Sequence, residues 1–302
     1  MFTHAVYKYP HFLRGIIIAA FFLFGFSAAS HAQNASAEKE IQAATKAMQA
    51  VAVEGPRNVP LGGRASIELP EKFFFIPKAE ASRFVRALGN TVGQDFIGLI
   101  FGEQLGGFIA VEFSPTGYIK DDDAKGWDVD ELLQNLKDGT EHGNKARASR
   151  GLPEISVLGW IEKPAYDAAA HRLIWSISSR PKDVSASEEQ GVNYNTYLLG
   201  REGYLSLNLV TDASSVEKGK PLAKQLLAAV SFKQGQRYED FNAATDRVAE
   251  YGLAALVGGL AVKKLGLLAA IGVFLVKAWK IILLGLIAFA AVFKRFFRRK
   301  GT

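Results

Sequence analysis

The most conspicuous polar cluster in the sequence is three consecutive aspartates, Asp121, Asp122 and Asp123. Adjacent carboxylates could supply oxygen ligands to a hard cation, or one of them could have a raised pKa and act as a general acid. Compared with a calcium-binding loop that starts at Asp121, the segment has Lys125 at a ligand position and Leu132 where the closing glutamate belongs. We therefore expect mostly exposed turn or helix-capping acids that bind divalent cations weakly or not at all.

The other residues that could do chemistry complete no known motif. His142 and His171 lie in no zinc-ligand spacing, the chain has no cysteine, and no Gly-x-Ser-x-Gly elbow occurs. The sequence thus predicts no catalytic residue, no metal site and no cofactor. If the chain binds a small ligand, we expect the site where the three aspartates meet His171 or Arg201, which leaves a periplasmic hydrolase or ligand-binding protein as the alternative hypothesis.

Aromatic residues are frequent in the stretches that resemble strands. Such residues normally supply core burial and cross-strand packing, which is the favoured interpretation, whereas a carbohydrate-stacking platform is the alternative. They are Phe73, Phe74, Phe75, Trp160, Trp175, Tyr194, Tyr197 and Tyr204.

The elements that must position these residues follow from the periodicity of apolar side chains. Alternation and short turns predict hairpins that pair residues 65–69 with 73–76, 96–101 with 108–113, 155–161 with 171–178, and 192–199 with 204–210. Helices are expected over 36–53, 78–88, 128–137 and 221–229, the first of them as a lid or linker because its apolar stripe is sparse. Short connections join antiparallel neighbours, so the fold class is α+β, a mainly antiparallel sheet with flanking helices.

The two ends of the chain have the composition of targeting segments. Lys8 and Arg14 precede an apolar run of about fifteen residues, which predicts a signal peptide over 1–32 that is cleaved after Ala32. Near the other end, one membrane crossing is expected over about 265–293, with a basic tail in the cytoplasm. Lys277 and Lys280 interrupt that segment, so a helical hairpin remains open. The anchor residues are Leu265, Phe274, Trp279, Leu284 and Phe293.

The charge distribution narrows the class of partner. The net charge of +6 comes from the two ends, because residues 33–250 contain 25 basic and 30 acidic side chains, a net charge near −5. A weakly acidic domain has no electrostatic footprint for phosphate backbones, which argues against nucleic-acid binding. The expected partners are the lipid bilayer and a protein, or a second copy that associates through small residues one helical turn apart, Ala254 with Gly258 and Ala255 with Gly259.

These segments define the expected organisation. It comprises a signal peptide (1–32), an N-terminal helix and linker (33–64), a periplasmic α+β domain (65–250) and a C-terminal membrane anchor with a basic tail (251–302). The location that follows is the bacterial inner membrane with the main domain in the periplasm. The favoured role is an interaction or envelope-associated module rather than an enzyme.

Several motifs along the domain carry a resemblance to a known family. They are residues 117–124 (Gly-Tyr-Ile-Lys-Asp-Asp-Asp-Ala), Gly159-Trp160, 164–167 (Pro-Ala-Tyr-Asp), 171–175 (His-Arg-Leu-Ile-Trp), Val192-Asn193-Tyr194, 199–203 (Leu-Gly-Arg-Glu-Gly), 237–241 (Arg-Tyr-Glu-Asp-Phe) and 246–256. With these motifs the chain resembles the bacterial membrane-anchored family known as domain of unknown function 2167, over nearly all of the mature chain. The resemblance implies a shared topology and leaves activity, substrate and cofactor open.

Overall fold

The computed structural model describes residues 31–149, 151–184 and 190–258. The described strands are β1 (Val53–Glu54), β2 (Arg57–Leu61), β3 (Ala65–Leu69), β4 (Phe73–Pro77), β5 (Phe96–Gly102), β6 (Phe108–Ser114), β7 (Ile155–Asp167), β8 (Arg172–Pro181), β9 (Gly191–Gly200), β10 (Gly203–Asp212) and β11 (Val230–Phe232). The described α-helices are α1 (His31–Val51), α2 (Lys78–Ala87), α3 (Val129–Ala148), α4 (Val216–Ala228) and α5 (Ala254–Gly258). Two 3-10 turns, Asp122–Gly126 and Tyr238–Asp240, complete the set.

The strands form two antiparallel sheets, which confirms the predicted α+β class. The larger sheet has eight strands in the order β1-β4-β5-β6-β10-β9-β8-β7, and the smaller has the order β11-β3-β2. The predicted pairings of β5 with β6, β7 with β8 and β9 with β10 are confirmed. In each case a short connection between neighbouring strands favours the antiparallel pair.

One predicted hairpin is wrong. We expected residues 65–69 to pair with 73–76, but β3 pairs with β2 and β11 in the small sheet, whereas β4 lies between β1 and β5 in the large one. The turn at 70–72, where Lys72 has a φ of 69°, carries the chain from one sheet to the other. Consecutive burial of four residues in β4 is typical of an interior strand with both faces covered.

Helices α3 and α4 extend beyond their predicted ends. Helix α3 continues past Lys137 to Ala148, because the buried Asn144 amide donates to the Ile155 carbonyl and accepts from the Ile155 N–H, both at 2.9 Å. This tertiary contact outweighs the low helix propensity of the glycines in between. Helix α4 begins at Val216, so Pro221 lies inside the helix and not at its first turn.

Alternating side chains place three apolar clusters on the two faces of the large sheet. The first core lies between one face, the small sheet and α4, and it includes Phe73 and Phe75 of β4. The second core lies on the opposite face, where α1 and α2 cover Phe74 and Ile76 of the same strand. The third core lies where α3 and α5 cover β7 to β9.

Helix α1 is part of the second core. Ala44 and Met48 are buried there, and the helix packs on α2 and β4. This differs from the lid or linker that its sparse apolar stripe suggested, because two or three well-placed apolar residues suffice where the facing sheet is strongly apolar.

Most of the expected targeting segments lie outside the described residues. This applies to residues 1–30 of the signal peptide and to residues 259–302 of the anchor, including Leu265, Phe274, Trp279, Leu284 and Phe293. Within 31–149, 151–184 and 190–258, no helix is long and apolar enough to cross a membrane.

Candidate functional site

The three aspartates lie on the connection from β6 to α3, at the start of the 3-10 turn Asp122–Gly126. Asp122 and Asp123 are exposed and Asp121 is partly exposed. The next acid along the chain, Asp128, caps α3, because its carboxylate accepts hydrogen bonds from the N–H groups of Asp130 and Glu131, both at 3.0 Å. The helix that follows the aspartates is therefore capped by a residue next to it in the chain.

Asp123 is the cap of a different helix. Its two carboxylate oxygens accept hydrogen bonds from the N–H groups of Leu253 and Ala254, both at 3.1 Å. These N–H groups lie at the start of α5, where a backbone donor has no partner within the helix. A Cβ on Gly252 would lie 2.4 Å from an Asp123 oxygen, so the glycine permits the close approach. Asp123 therefore attaches the beginning of the C-terminal segment to the domain.

Asp121 belongs to a hydrogen-bonded chain with a tyrosine and a histidine. The Tyr166 hydroxyl donates to the Asp121 carboxylate at 2.9 Å, and the same hydroxyl lies 3.3 Å from Nδ1 of His171. Burial and the hydrogen bond to Asp121 raise the pKa of Tyr166 far above its usual value. The phenol is consequently a neutral donor at physiological pH.

Aromatic rings stack beside this chain. Tyr118 lies between Phe241 and Tyr238, with ring centroids 3.9 Å and 4.4 Å apart, and His171 lies 4.1 Å from Tyr238 on the far side. The Tyr238 hydroxyl donates to the Ile119 carbonyl at 2.8 Å. Burial, followed by the contact with Tyr118, raises the pKa of Tyr238. The stack therefore joins the segment that carries the aspartates to the 3-10 turn Tyr238–Asp240.

Backbone pairing strengthens the same junction. The Tyr118 N–H donates to the Arg247 carbonyl and the Ala249 N–H donates to the Tyr118 carbonyl, both at 2.8 Å. At Gly117, φ is +92° and a Cβ would lie 2.6 Å from the Arg247 oxygen, so only glycine fits there without displacement of the backbone. Residues 117–124 and 246–256 thus run together at one end of the domain.

Arg201 is part of a separate interaction. Its guanidinium binds the Asp246 carboxylate through two hydrogen bonds of 2.7 Å and 2.8 Å, and it also donates to the Gly235 carbonyl. The hydrogen bond from Arg201 and that from the Asn242 N–H hold the pKa of Asp246 well below its usual range. The structure therefore brings His171 to the aspartates, whereas Arg201 is occupied in holding the loop that precedes α5.

An open cleft of about 280 Å³ lies beside Asp123. It is lined by the side chains or backbone of Lys120, Asp123, Glu250, Tyr251, Ala254 and Ala255. Within the described residues, no group of three or more His, Cys, Asp or Glu side chains is arranged to hold a metal ion. The carboxylates of Asp121 and Asp123 each accept from protein donors, so the arrangement holds chain segments together more readily than it activates a water molecule.

Two features of this site were not predicted from the sequence. They are the role of Asp123 as the cap of α5 and the contacts of Tyr118, Tyr166 and Tyr238 with the segment that carries the aspartates. A signal was present, however. The motifs at 117–124, 164–167, 237–241 and 246–256 carried the family resemblance, and all four meet at this junction. Motifs far apart in the chain that together define a family are a reason to expect spatial contact.

The α5 helix also accounts for part of the small-residue pattern. Ala254 and Gly258 lie on α5, Gly258 is buried, and α5 packs against α3 of the same chain. Small residues allow two helices to approach closely, here within one chain. Gly259 lies outside the described residues, and self-association through this stretch remains a prediction.

Comparison with known protein families supports the family resemblance that the sequence motifs indicated. No curated protein matches the chain. Among solved structures, cyanobacterial PsbP (CyanoP) from Synechocystis sp. PCC 6803 is similar at 10% identity, over 59% of this chain and 92% of that one, with a TM-score of 0.36. The family described as protein of unknown function (DUF2167) matches residues 53–288. Because that match covers most of the sequence, the chain belongs to this family.

Proposed function

We propose that this protein is a membrane-tethered, extracytoplasmic interaction module whose aspartate segment couples the domain to the C-terminal anchor. One observation carries the proposal, namely the hydrogen bonds from the Leu253 and Ala254 N–H groups to Asp123. These donors lie at the start of the expected C-terminal anchor (251–302), and the crossing expected over about 265–293 begins about eleven residues after Ala254. The acids would thus hold the orientation of the domain on its tether.

Packing of the same segment supports this role. Leu253, Leu256 and Val257 are buried in the third core together with residues of β8, β9 and α3. An apolar segment that only crossed a bilayer would need no such contacts with the folded domain. The first turn of the C-terminal segment is therefore built into the domain, which limits how freely the domain can move relative to the anchor.

The composition of the two ends supports the location. An apolar run preceded by Lys8 and Arg14 is typical of an export signal, and a basic tail after an apolar segment is typical of a cytoplasmic end. The domain is acidic and anchored, and the carboxylates of Asp121 and Asp123 already accept hydrogen bonds from the protein itself. The favoured partner is therefore another protein of the envelope.

The location is tested with reporters fused after Thr302. The proposal expects a fluorescent protein that matures only in the cytoplasm to be bright there and alkaline phosphatase to be inactive. It also expects the full chain to remain in membranes after carbonate extraction, whereas a chain ending at residue 258 is released. Phosphatase activity with a dark fluorescent fusion would mean a hairpin and an exported tail. A full chain released by carbonate would contradict the anchor.

A hydrolase or ligand-binding protein centred on Asp121 to Asp123 is the second candidate, and the contact of Tyr166 with both Asp121 and His171 favours it. The purified full chain can be assayed with nitrophenyl acetate and nitrophenyl phosphate, beside the His171→Gln and Asp121→Asn variants. The interaction module predicts no turnover that depends on these residues. Turnover that falls at least tenfold in both variants, with thermal stability preserved, would establish the hydrolase instead.

A further inference from the structure

Strand register places a strip of polar side chains across the middle of the large sheet, on the face that carries the second and third cores. Asn195 of β9 pairs with Asn208 of β10, and Tyr197 pairs with Ser206. Ser206 in turn pairs with Glu112 of β6. Side chains of cross-strand partners point to the same face. The polar strip consists of Glu112, Asn193, Asn195, Ser206 and Asn208.

Helices cover this face on both sides of the polar strip. On one side α2 packs on β4 and β5, over Leu99 and Phe101 of the second core. On the other side α3 packs on β7, next to Leu173 and Trp175 of the third core. The polar strip lies between them on β6, β10 and β9, and four of its five members are partly exposed. We use the term groove for this partly exposed polar strip between the two helix-covered parts of the sheet.

The composition of the floor is unusual for a strand surface that only faces water. Asparagine is depleted in strands, yet three of the five positions are asparagine. Asn195 has only 7% of its surface exposed, and its amide makes one long hydrogen bond, 3.4 Å, to the Asn193 carbonyl. A buried carboxamide placed there offers a donor and an acceptor that the described residues hardly use.

One further polar atom at the floor has no hydrogen-bond partner among the described residues. It is the buried Oδ1 of Asn208, which pairs with Asn195 in the strand register. Buried polar groups in native proteins are nearly always hydrogen-bonded. This unsatisfied acceptor, beside the donor and the acceptor of the Asn195 carboxamide, matches a ligand that both donates and accepts hydrogen bonds.

Two acidic side chains, Glu112 and Asp95, contribute negative charge to the groove. Burial, followed by the nearby carboxylate of Asp95, raises the pKa of Glu112, and no basic side chain contributes to this shift. A carboxylate held in this way is stabilised by a cation that enters the groove. Tyr197 and Tyr204, whose ring centroids are 5.6 Å apart, flank the strip on the side of the third core.

We infer that this groove binds an extended peptide segment of a partner protein, with its backbone amides on the asparagines and a Lys or Arg side chain on Glu112 and Asp95. A peptide group has one donor and one acceptor, which is what each carboxamide complements. From β6 to β9 the strip spans about 10 Å, enough for one extended chain. The inference deepens the proposed function, since it names the chemistry of the protein partner.

The test uses the purified full chain in detergent and a phage-displayed library of random linear dodecapeptides. Selected peptides are then labelled with fluorescein and titrated by fluorescence anisotropy. We expect the selection to enrich peptides with Lys or Arg, and the Kd of a selected peptide to rise at least tenfold in Glu112→Gln. Replacing the basic residue of the peptide with alanine should give a similar loss. Glu71→Gln, which removes an exposed carboxylate on the turn between the sheets, is the matched control and should change the Kd less than twofold.

A second variant and a pH series make the test independent of one substitution. Ser206→Trp fills the groove without a change of charge and should abolish binding, with folding checked by circular dichroism. Should Ser206→Trp fail to fold, Glu112→Gln, which keeps the side-chain shape, carries the test. Binding to the wild-type chain should weaken on acidification, as Glu112 takes up a proton, and this pH dependence should be reduced in Glu112→Gln.

Other outcomes would overturn the inference. These are a selection that yields no peptide, peptides whose Kd is indifferent to Glu112→Gln, or an oligosaccharide from a glycan array that binds the wild type and not Ser206→Trp. The last result would assign the groove to a sugar. Because the assay is done in detergent on purified protein, a failure here leaves the membrane topology untouched, whereas the reporter fusions test topology and not the groove.

Discussion

Removal of the Asp123 carboxylate should loosen the start of the C-terminal segment while the rest of the domain remains folded. In Asp123→Ala the N–H groups of Leu253 and Ala254 lose acceptors that lie at 3.1 Å. Loss of a helix cap typically costs about 1 kcal/mol, within a range of roughly 0.5 to 2. Because Asp123 is exposed and water can replace it, we expect the lower half of that range.

This loss of free energy should be measurable both as faster hydrogen exchange at the cap and as a lower midpoint of thermal unfolding. A cost of about 1 kcal/mol raises the population of the opened state about fivefold. Backbone amides at 253 and 254 in the purified full chain should therefore exchange with deuterium about five times faster. The midpoint of thermal unfolding should fall by about 2 to 4 °C, as expected for a domain of this size.

The neighbouring aspartate provides the control. Asp122→Ala removes an exposed carboxylate one residue earlier, and we expect less than about 0.5 kcal/mol and no faster exchange at 253 and 254. Asp123→Asn keeps one acceptor oxygen and should have an intermediate effect. Equal exchange at these two amides in Asp122→Ala and Asp123→Ala would refute the assignment of Asp123 as the cap of α5.

Three further predictions concern the same end of the domain. Gly252→Ala should reproduce the faster amide exchange of Asp123→Ala, because its Cβ would displace the Asp123 carboxylate. The double variant should then show much less than the sum of the two single effects on exchange, and additive effects would contradict the clash. Leu253→Ala should lower the free energy of unfolding by about 2 to 5 kcal/mol in urea titrations, since Leu253 is fully buried, and a loss below about 1 kcal/mol would place it outside the core. The lowered pKa of Asp246 beside Arg201 stabilises the fold at neutral pH, a contribution that is present above about pH 4 and is lost on further acidification. Melting temperatures from pH 6 to 3 should therefore fall less in Asp246→Asn than in the wild type, and parallel curves would show that the ion pair does not contribute.

Local patterns in the sequence were sufficient for most of the elements. The pairs β5 with β6, β7 with β8 and β9 with β10 follow from alternation and short turns, because a tight connection leaves antiparallel neighbours as the simplest closure. The amphipathic intervals also located α2, α3 and α4, although the ends of α3 and α4 were predicted less well. The family resemblance, carried by motifs across the domain, was confirmed.

Assembly of the candidate site needed contacts between distant parts of the chain. Asp123 and Leu253 are 130 residues apart, and no local pattern indicates that an acid on one connection caps a helix that begins so much later. The same holds for Tyr166 and Asp121, which are 45 residues apart. Acids that the sequence identified only as turn or helix-capping residues thus acquired specific partners once the chain had folded.

The difference between local sequence patterns and tertiary packing is clearest at two places, the predicted hairpin that did not form and the polar strip. Alternation in residues 65–69 and burial in 73–76 are properties of the sequence, and both are present in the structure. Which sheet each strand joins depends on β2, which forms a local hairpin with β3, and on β11, which pairs with β3 from far along the chain. Likewise, Glu112 and Ser206 are ordinary strand positions until β6 pairs with β10 and aligns them. Periodicity specifies which face of a strand is apolar, but pairing energies are similar for many possible neighbours, so only the packing of the whole domain selects the partner strands and thereby the side chains that meet.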